Sequence, residues 1–115
     1  MLAELTMFLK KRTMRAEAKR RPTHPGELLR EETLPAAGLT PSELATRLAV
    51  SQRGISELLR ERRSVNPDLA LRLARVFKTT PEFWLRLQEA VDIWDAWPAN
   101  RQEYDRLKPL SERAA

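Results

Sequence analysis

Residues 40–63, TPSELATRLAVSQRGISELLRERR, hold two short helical patterns joined by a tight connection. Thr40 suits the residue that caps a helix, Pro41 its first position, and Glu43 the carboxylate position of a capping box. Leu44, Ala45 and Leu48 recur at helical spacing, so this first helix buries one face. Ala45 supplies the small residue that two steeply crossing helices need where they touch. Val50 lies in the connection and Ser51 offers a second N-cap. After it, Ile55, Leu58 and Leu59 face inward at i, i+3 and i+4.

That spacing is the spacing of a helix-turn-helix. The outward side of its second helix carries Arg53, Ser56, Glu57 and Arg60 at i, i+3, i+4 and i+7, with Gln52 beside them. An α-helix fits the major groove of B-DNA, where Arg bonds guanine O6 and N7 together and Gln bonds adenine N6 and N7 together. The first residues of a recognition helix reach base edges, which makes Gln52 and Arg53 the candidates for direct readout. Ser51 and Thr40 stand at helix N-termini, where free N–H groups suit a phosphate. Arg62 and Arg63 neutralise backbone charge without reading sequence. The competing reading is a plain solvated face on a helical hairpin. Agreement of caps, turn and apolar spacing favours DNA.

The segment resembles the Cro/cI-like (XRE, lambda-repressor-like) helix-turn-helix superfamily. Its flanks, HPGELLREE at 24–32 and ALRLARVFKTTPEFWLRLQEAVDIW at 70–94, are similar to the HigA subgroup of antitoxins, and the likeness spans roughly 22–97. That resemblance implies a small all-α protein that neutralises a HigB-like toxin, an mRNA-cleaving ribonuclease, and represses its own operon. Two departures stand out. The superfamily usually places Gly in the inter-helix turn and again after the recognition helix, where this chain has Ala49 and Glu61. A non-Gly residue in a left-handed conformation costs about 1–2 kcal/mol. The turn still forms on this expectation, but Glu61 lets the recognition helix run on longer or exit differently.

A chain of 115 residues is one domain with a single modest core. There is no cysteine, which excludes a disulfide framework and a cysteine metal site. No apolar run reaches transmembrane length and no secretion signal is evident, so the expectation is a cytoplasmic chain without membrane contact. The net charge of +5 sits in residues 1–21, whose seven basic residues face only Glu4 and Glu17. The remainder holds fourteen basic and fourteen acidic residues. DNA affinity in the domain must therefore come from local clustering of Arg47, Arg53, Arg60, Arg62 and Arg63.

The organisation read from the sequence is a basic N-terminal arm (1–21), a five-helix domain (22–97) and a tail (98–115). In the arm, Leu2, Leu5, Phe8 and Leu9 fit one side of an amphipathic helix. Four readings compete: a disordered tail, a helix docked on domain or partner, an accessory DNA contact, or a membrane-surface segment. A flexible or partner-dependent arm is favoured, and the membrane comes last because the apolar face spans only about two turns. A further reading takes Met14 as the natural start. His24-Pro25-Gly26-Glu27 reads as a helix start with a capping or structural histidine, and Pro35 as its stop. Asn66-Pro67-Asp68 and Thr80-Pro81-Glu82 start two more helices. On the last, Phe83, Trp84, Leu87, Ala90, Val91, Trp94 and Trp97 form a core stripe. Leu85, Ile93 and Ala96 cluster on its other side and are the candidate interface of a homodimer, which would set two recognition helices about one DNA turn apart. Glu89, Asp92 and Asp95 are either a face for a basic toxin or solvated charge. Tyr104, Leu107 and Leu110 suggest a short docking segment, and residues 111–115 a frayed end.

No phosphate-cradling glycine loop, nucleophile–base pair or metal-ligand cluster is present, so neither an enzyme, a cofactor nor a metal is expected. The leading reading is an antitoxin that also represses transcription. The runner-up is a stand-alone repressor, and a third class is a protein-interaction module with a vestigial DNA helix.

Overall fold

The computed structural model describes residues 20–110. The amphipathic pattern at Leu2–Leu9 and the C-terminal residues 111–115 lie outside the described residues. Within them the chain is all-α, with no strand. Helix α1 has three end-to-end segments: α-helical Pro25–Leu28, a π-helical turn Leu29–Thr33 and α-helical Leu34–Ala37. Then come α2 (Pro41–Leu48), α3 (Gln52–Leu59), α4 (Pro67–Phe77), α5 (Pro81–Ala99) and the short α6 (Arg101–Arg106).

Five helices start on the residues that local chemistry selects. His24, Thr40, Ser51, Asn66 and Thr80 each accept a backbone N–H two or three residues on, and Pro25, Pro41, Pro67 and Pro81 follow four of them. Each cap satisfies one donor that the helix cannot satisfy itself, worth about 1 kcal/mol. The histidine caps through Nδ1, which accepts the Gly26 N–H at 2.9 Å.

The ends are less orthodox. Gly38, Ala49, Glu61 and Lys78 all take the left-handed conformation that closes a helix, and only the first is glycine. After α2, Ala49 N–H bonds the Thr46 carbonyl and Val50 N–H the Ala45 carbonyl; after α3, Glu61 N–H bonds Leu58 and Arg62 N–H bonds Glu57. Both are Schellman closures. Glu61 therefore ends the recognition helix at the usual place instead of letting it run on.

Pro35 does not stop α1, contrary to the sequence expectation. The Leu34 N–H bonds the Leu29 carbonyl five residues back. This π turn offsets the carbonyl that a proline ring would otherwise strike, and the helix continues to Ala37. Pro98 likewise sits inside α5.

α1 to α5 enclose one core, built from Leu28, Leu29, Leu44, Leu48, Ile55, Leu58, Leu73, Phe83, Trp84 and Leu87 among others. Trp84 is wholly buried, with Phe83 edge-on at 5.0 Å and its indole N–H donating to Thr79 Oγ1 at 2.8 Å. Gln88, unremarked in the sequence, is buried and bridges elements: its Oε1 accepts the Val65 N–H and its Nε2 donates to Asp92. The core stripe of α5 stops early. Ala90 and Trp94 are half-buried, while Trp97 is exposed and stacks on Tyr104 of α6. Leu85, expected on the outer side, is half-buried against the core.

Candidate nucleic-acid interface

α3 is positioned by backbone contact with α1. A Cβ built on Gly26 would stand 1.8 Å from the Leu58 carbonyl oxygen, so only glycine lets the first turn of α1 lie on the recognition helix. Gly54, Ile55, Leu58 and Leu59 of α3 are buried. Gln52, Arg53 and Arg60 are exposed, and Ser56 and Glu57 half-buried, so the periodicity places the polar residues outward as read.

Each residue of that face has a defined state. The Arg53 side chain is 88% exposed and its Nε donates to Glu57 Oε2 at 3.3 Å. Ser51 Oγ accepts the Gly54 N–H at 3.0 Å, which leaves the N–H groups of Gln52 and Arg53 at the helix mouth. Thr40 is more committed. Its Oγ1 accepts the Glu43 N–H and its own N–H donates to Glu43 Oε1, so a phosphate here meets a closed capping box and a carboxylate. Those hydrogen bonds hold the Glu43 carboxyl below its usual range. Arg62 is exposed beyond α3. Arg63, expected with it to neutralise DNA backbone charge, folds back and donates to Glu57 Oε1 at 3.0 and 3.2 Å.

Long-range grips, invisible in the sequence, hold the turn and the far end of the motif. Arg72 of α4 donates to the carbonyls of Leu48 (2.8 Å) and Ala49 (3.2 Å), closing the left-handed turn between α2 and α3. Arg30 of α1 donates to the Leu59 carbonyl and to Glu61 Oε2. Arg21 reaches Glu61 Oε1 and holds both oxygens of Asp95 at 2.9 Å. The Arg21 guanidinium depresses the Asp95 carboxyl, chiefly through these hydrogen bonds. The residue where the basic arm joins the domain is thus pinned between the end of α3 and α5. Asp92 and Asp95 are engaged inside the chain, which weakens their reading as a docking face.

The far part of α5 differs in kind. Ile93 (62% exposed) and Trp97 (48%) lie open, as do Ala96 and, beyond α6, Leu107 and Leu110. Among the described residues, no group of three His, Cys, Asp or Glu side chains is placed to hold a metal, and no helix is long and apolar enough to cross a membrane.

Comparison with known proteins places this geometry. The helix-turn-helix family HTH_3 matches residues 29–84. The chain is 40% identical over 101 residues to the uncharacterized HTH-type transcriptional regulator YbaQ of Escherichia coli K12, covering 86% of this chain and 89% of that one. It is 38% identical over 94 residues to antitoxin HigA-1 of Vibrio cholerae, covering 82% of this chain and 89% of that one. Among solved structures, the Pseudomonas aeruginosa antitoxin HigA with the higBA promoter superposes with a TM-score of 0.74 at 39% identity, covering 79% of this chain and all of that one.

Proposed function

Because the chain belongs to the HigA antitoxin family and carries its helix-turn-helix domain, we propose that it binds the promoter of its own operon through α3 and neutralises a HigB-like ribonuclease toxin. This family is one of regulators, not enzymes. The DNA half rests on one observation above all: a helix buried on one side presents Gln52, Arg53 and Arg60 to solvent on the other. Gln52 and Arg53 read base edges, with Ser56 and Arg60 further along the groove. Ser51, Thr40, Arg62 and Arg63 supply phosphate contacts, Thr40 the weakest of them because its capping box is already closed. The likeness to a HigA bound to its promoter supports the same reading.

DNA reading by this motif works best in a two-fold dimer. Ile93 and Ala96, with Leu85 at the edge of the core, form its candidate face, and the exposure of Ile93 supports this. The toxin half is supported by the likeness to antitoxin HigA-1. A second reading, a repressor without a toxin, is favoured by the likeness to the regulator YbaQ.

One pair of assays tests both halves. Duplex DNA from immediately upstream of the coding sequence should bind the full chain, and Arg53→Ala should cost about 1–3 kcal/mol while relaxing preference at one base pair. Co-expression with the neighbouring gene product should give copurification and rescue growth. Promoter binding without either would leave the stand-alone repressor.

A further inference from the structure

The reading face holds one carboxylate, and two arginines grip it. Glu57 Oε2 accepts from Arg53 Nε at 3.3 Å, while Oε1 accepts from Nε and Nη2 of Arg63 at 3.2 and 3.0 Å. Arg53 spends only its Nε in this contact, so neither terminal amino group, the fork that spans guanine O6 and N7, is hydrogen-bonded to the carboxylate. Arg63 starts four residues beyond the end of α3 and returns across it. Its guanidinium lies over the bare backbone of Gly54, with Nη1 and Cζ 3.6 and 3.7 Å from where a Cβ would stand. Gly54 belongs to the first turn of α3, the turn that reaches base edges. Hydrogen bonds from Arg63 and then Arg53 keep the Glu57 carboxyl below its usual range and hence ionised.

A bare carboxylate here would repel DNA. One that holds two guanidiniums does something else: it fixes their planes before DNA arrives and keeps them from wandering to the phosphates, which any sequence offers. We propose that Glu57 is the positioning residue of DNA readout, holding Arg53 and Arg63 as a paired fork for base edges. Arg63 then reads base edges in place of the phosphate contact proposed for it above. The proposal rests on the promoter-binding reading above.

The test compares the upstream duplex with a scrambled duplex of equal length, by anisotropy across a salt series, using the full chain. Wild type, Glu57→Ala, Glu57→Gln, Arg63→Ala and Arg62→Ala are titrated, with helix content checked by circular dichroism. If wild type shows no preference for the upstream duplex, the promoter reading itself fails, before any variant is considered. Given that preference, Glu57→Ala should strengthen binding to scrambled DNA, steepen its salt slope and lower the preference about tenfold. Glu57→Gln, which keeps one acceptor, should lower it less. Arg63→Ala should lower the preference, whereas Arg62→Ala should weaken both duplexes alike. Glu57→Ala strengthening both duplexes equally would overturn the proposal, leaving a merely repulsive charge. So would Arg63→Ala behaving like Arg62→Ala. A Glu57→Gln effect confined to one base pair, with the arginine-read positions intact, would instead make the carboxylate a direct reader of cytosine and overturn positioning.

Discussion

The recognition helix α3 and the far half of α5 belong to one all-α domain and treat their outward sides in opposite ways. α3 is backed by direct backbone contact at Gly26, gripped by remote arginines at the turn before it and at its end, and faces outward with ion-paired charge. The far half of α5 leaves the core after Val91, passes through Pro98 and turns Ile93 and Trp97 outward. A charged side chain that must meet a rigid groove needs its helix fixed, because an error at the backbone is carried to every tip. An apolar face needs only area and a partner to cover it. Rigidity and exposed hydrophobicity therefore separate along this chain.

The largest test of that contrast is steric. Gly26→Ala places a methyl group against the Leu58 carbonyl and should destabilise the fold by about 3 kcal/mol in urea unfolding. Ala96→Val, a larger addition on the exposed side of α5, should change it by less than about 0.5 kcal/mol. Equal effects would erase the distinction. Next, Ile93→Asp should weaken self-association about tenfold, roughly 1.4 kcal/mol, by sedimentation, with the melting of the monomer unchanged. A dimer that persists would place the interface elsewhere.

The left-handed ends give a smaller and sharper pair. Ala49→Gly should raise stability by about 1 kcal/mol, since glycine removes the Cβ penalty and Arg72 grips carbonyls that remain. Glu61→Gly gains the same relief but loses the carboxylate that Arg21 and Arg30 hold, so its midpoint should rise less. Thermal melts of both variants decide it.

The smallest effect concerns pH. Burial pushes the His24 imidazole below its ordinary value near 6.5, which suits Nδ1 as an acceptor; Arg21 opposes protonation, while Glu61, Asp92 and Asp95 favour it. Because the folded value is the lower one, the unfolded chain binds the extra proton. Stability is fully present above about pH 6.5 and declines as pH falls through that value toward the folded one. His24→Asn retains a capping side chain and should flatten the melting midpoint between about pH 7 and pH 5. As the only histidine, His24 has that window to itself.

What was legible in the sequence was what is local. Thr40, Ser51, Asn66 and Thr80 announced their helices because a cap bonds within three residues, and the outward face of α3 followed from periodicity alone. The grips of Arg30 on Leu59 and Arg72 on Leu48 span 29 and 24 residues, and nothing in either neighbourhood marks them. The same distance hid the meaning of Gly26, whose partner is a carbonyl of another helix. Pro35 misled because a proline usually ends a helix, and the π turn that accommodates it has no residue signature. At the site, Arg53 and Glu57 were readable as an i, i+4 pair, while the return of Arg63 depends on the reversal at Glu61.

The grip of Arg72 on Ala49 also orders how these two positions can change over generations. With alanine at 49, losing Arg72 strips its hydrogen bonds from a turn already under strain, and a marginally stable domain has little room for both burdens. Once glycine occupies 49, the strain is gone and Arg72 becomes replaceable. Arg72→Ala should accordingly cost less stability in an Ala49→Gly background than on its own.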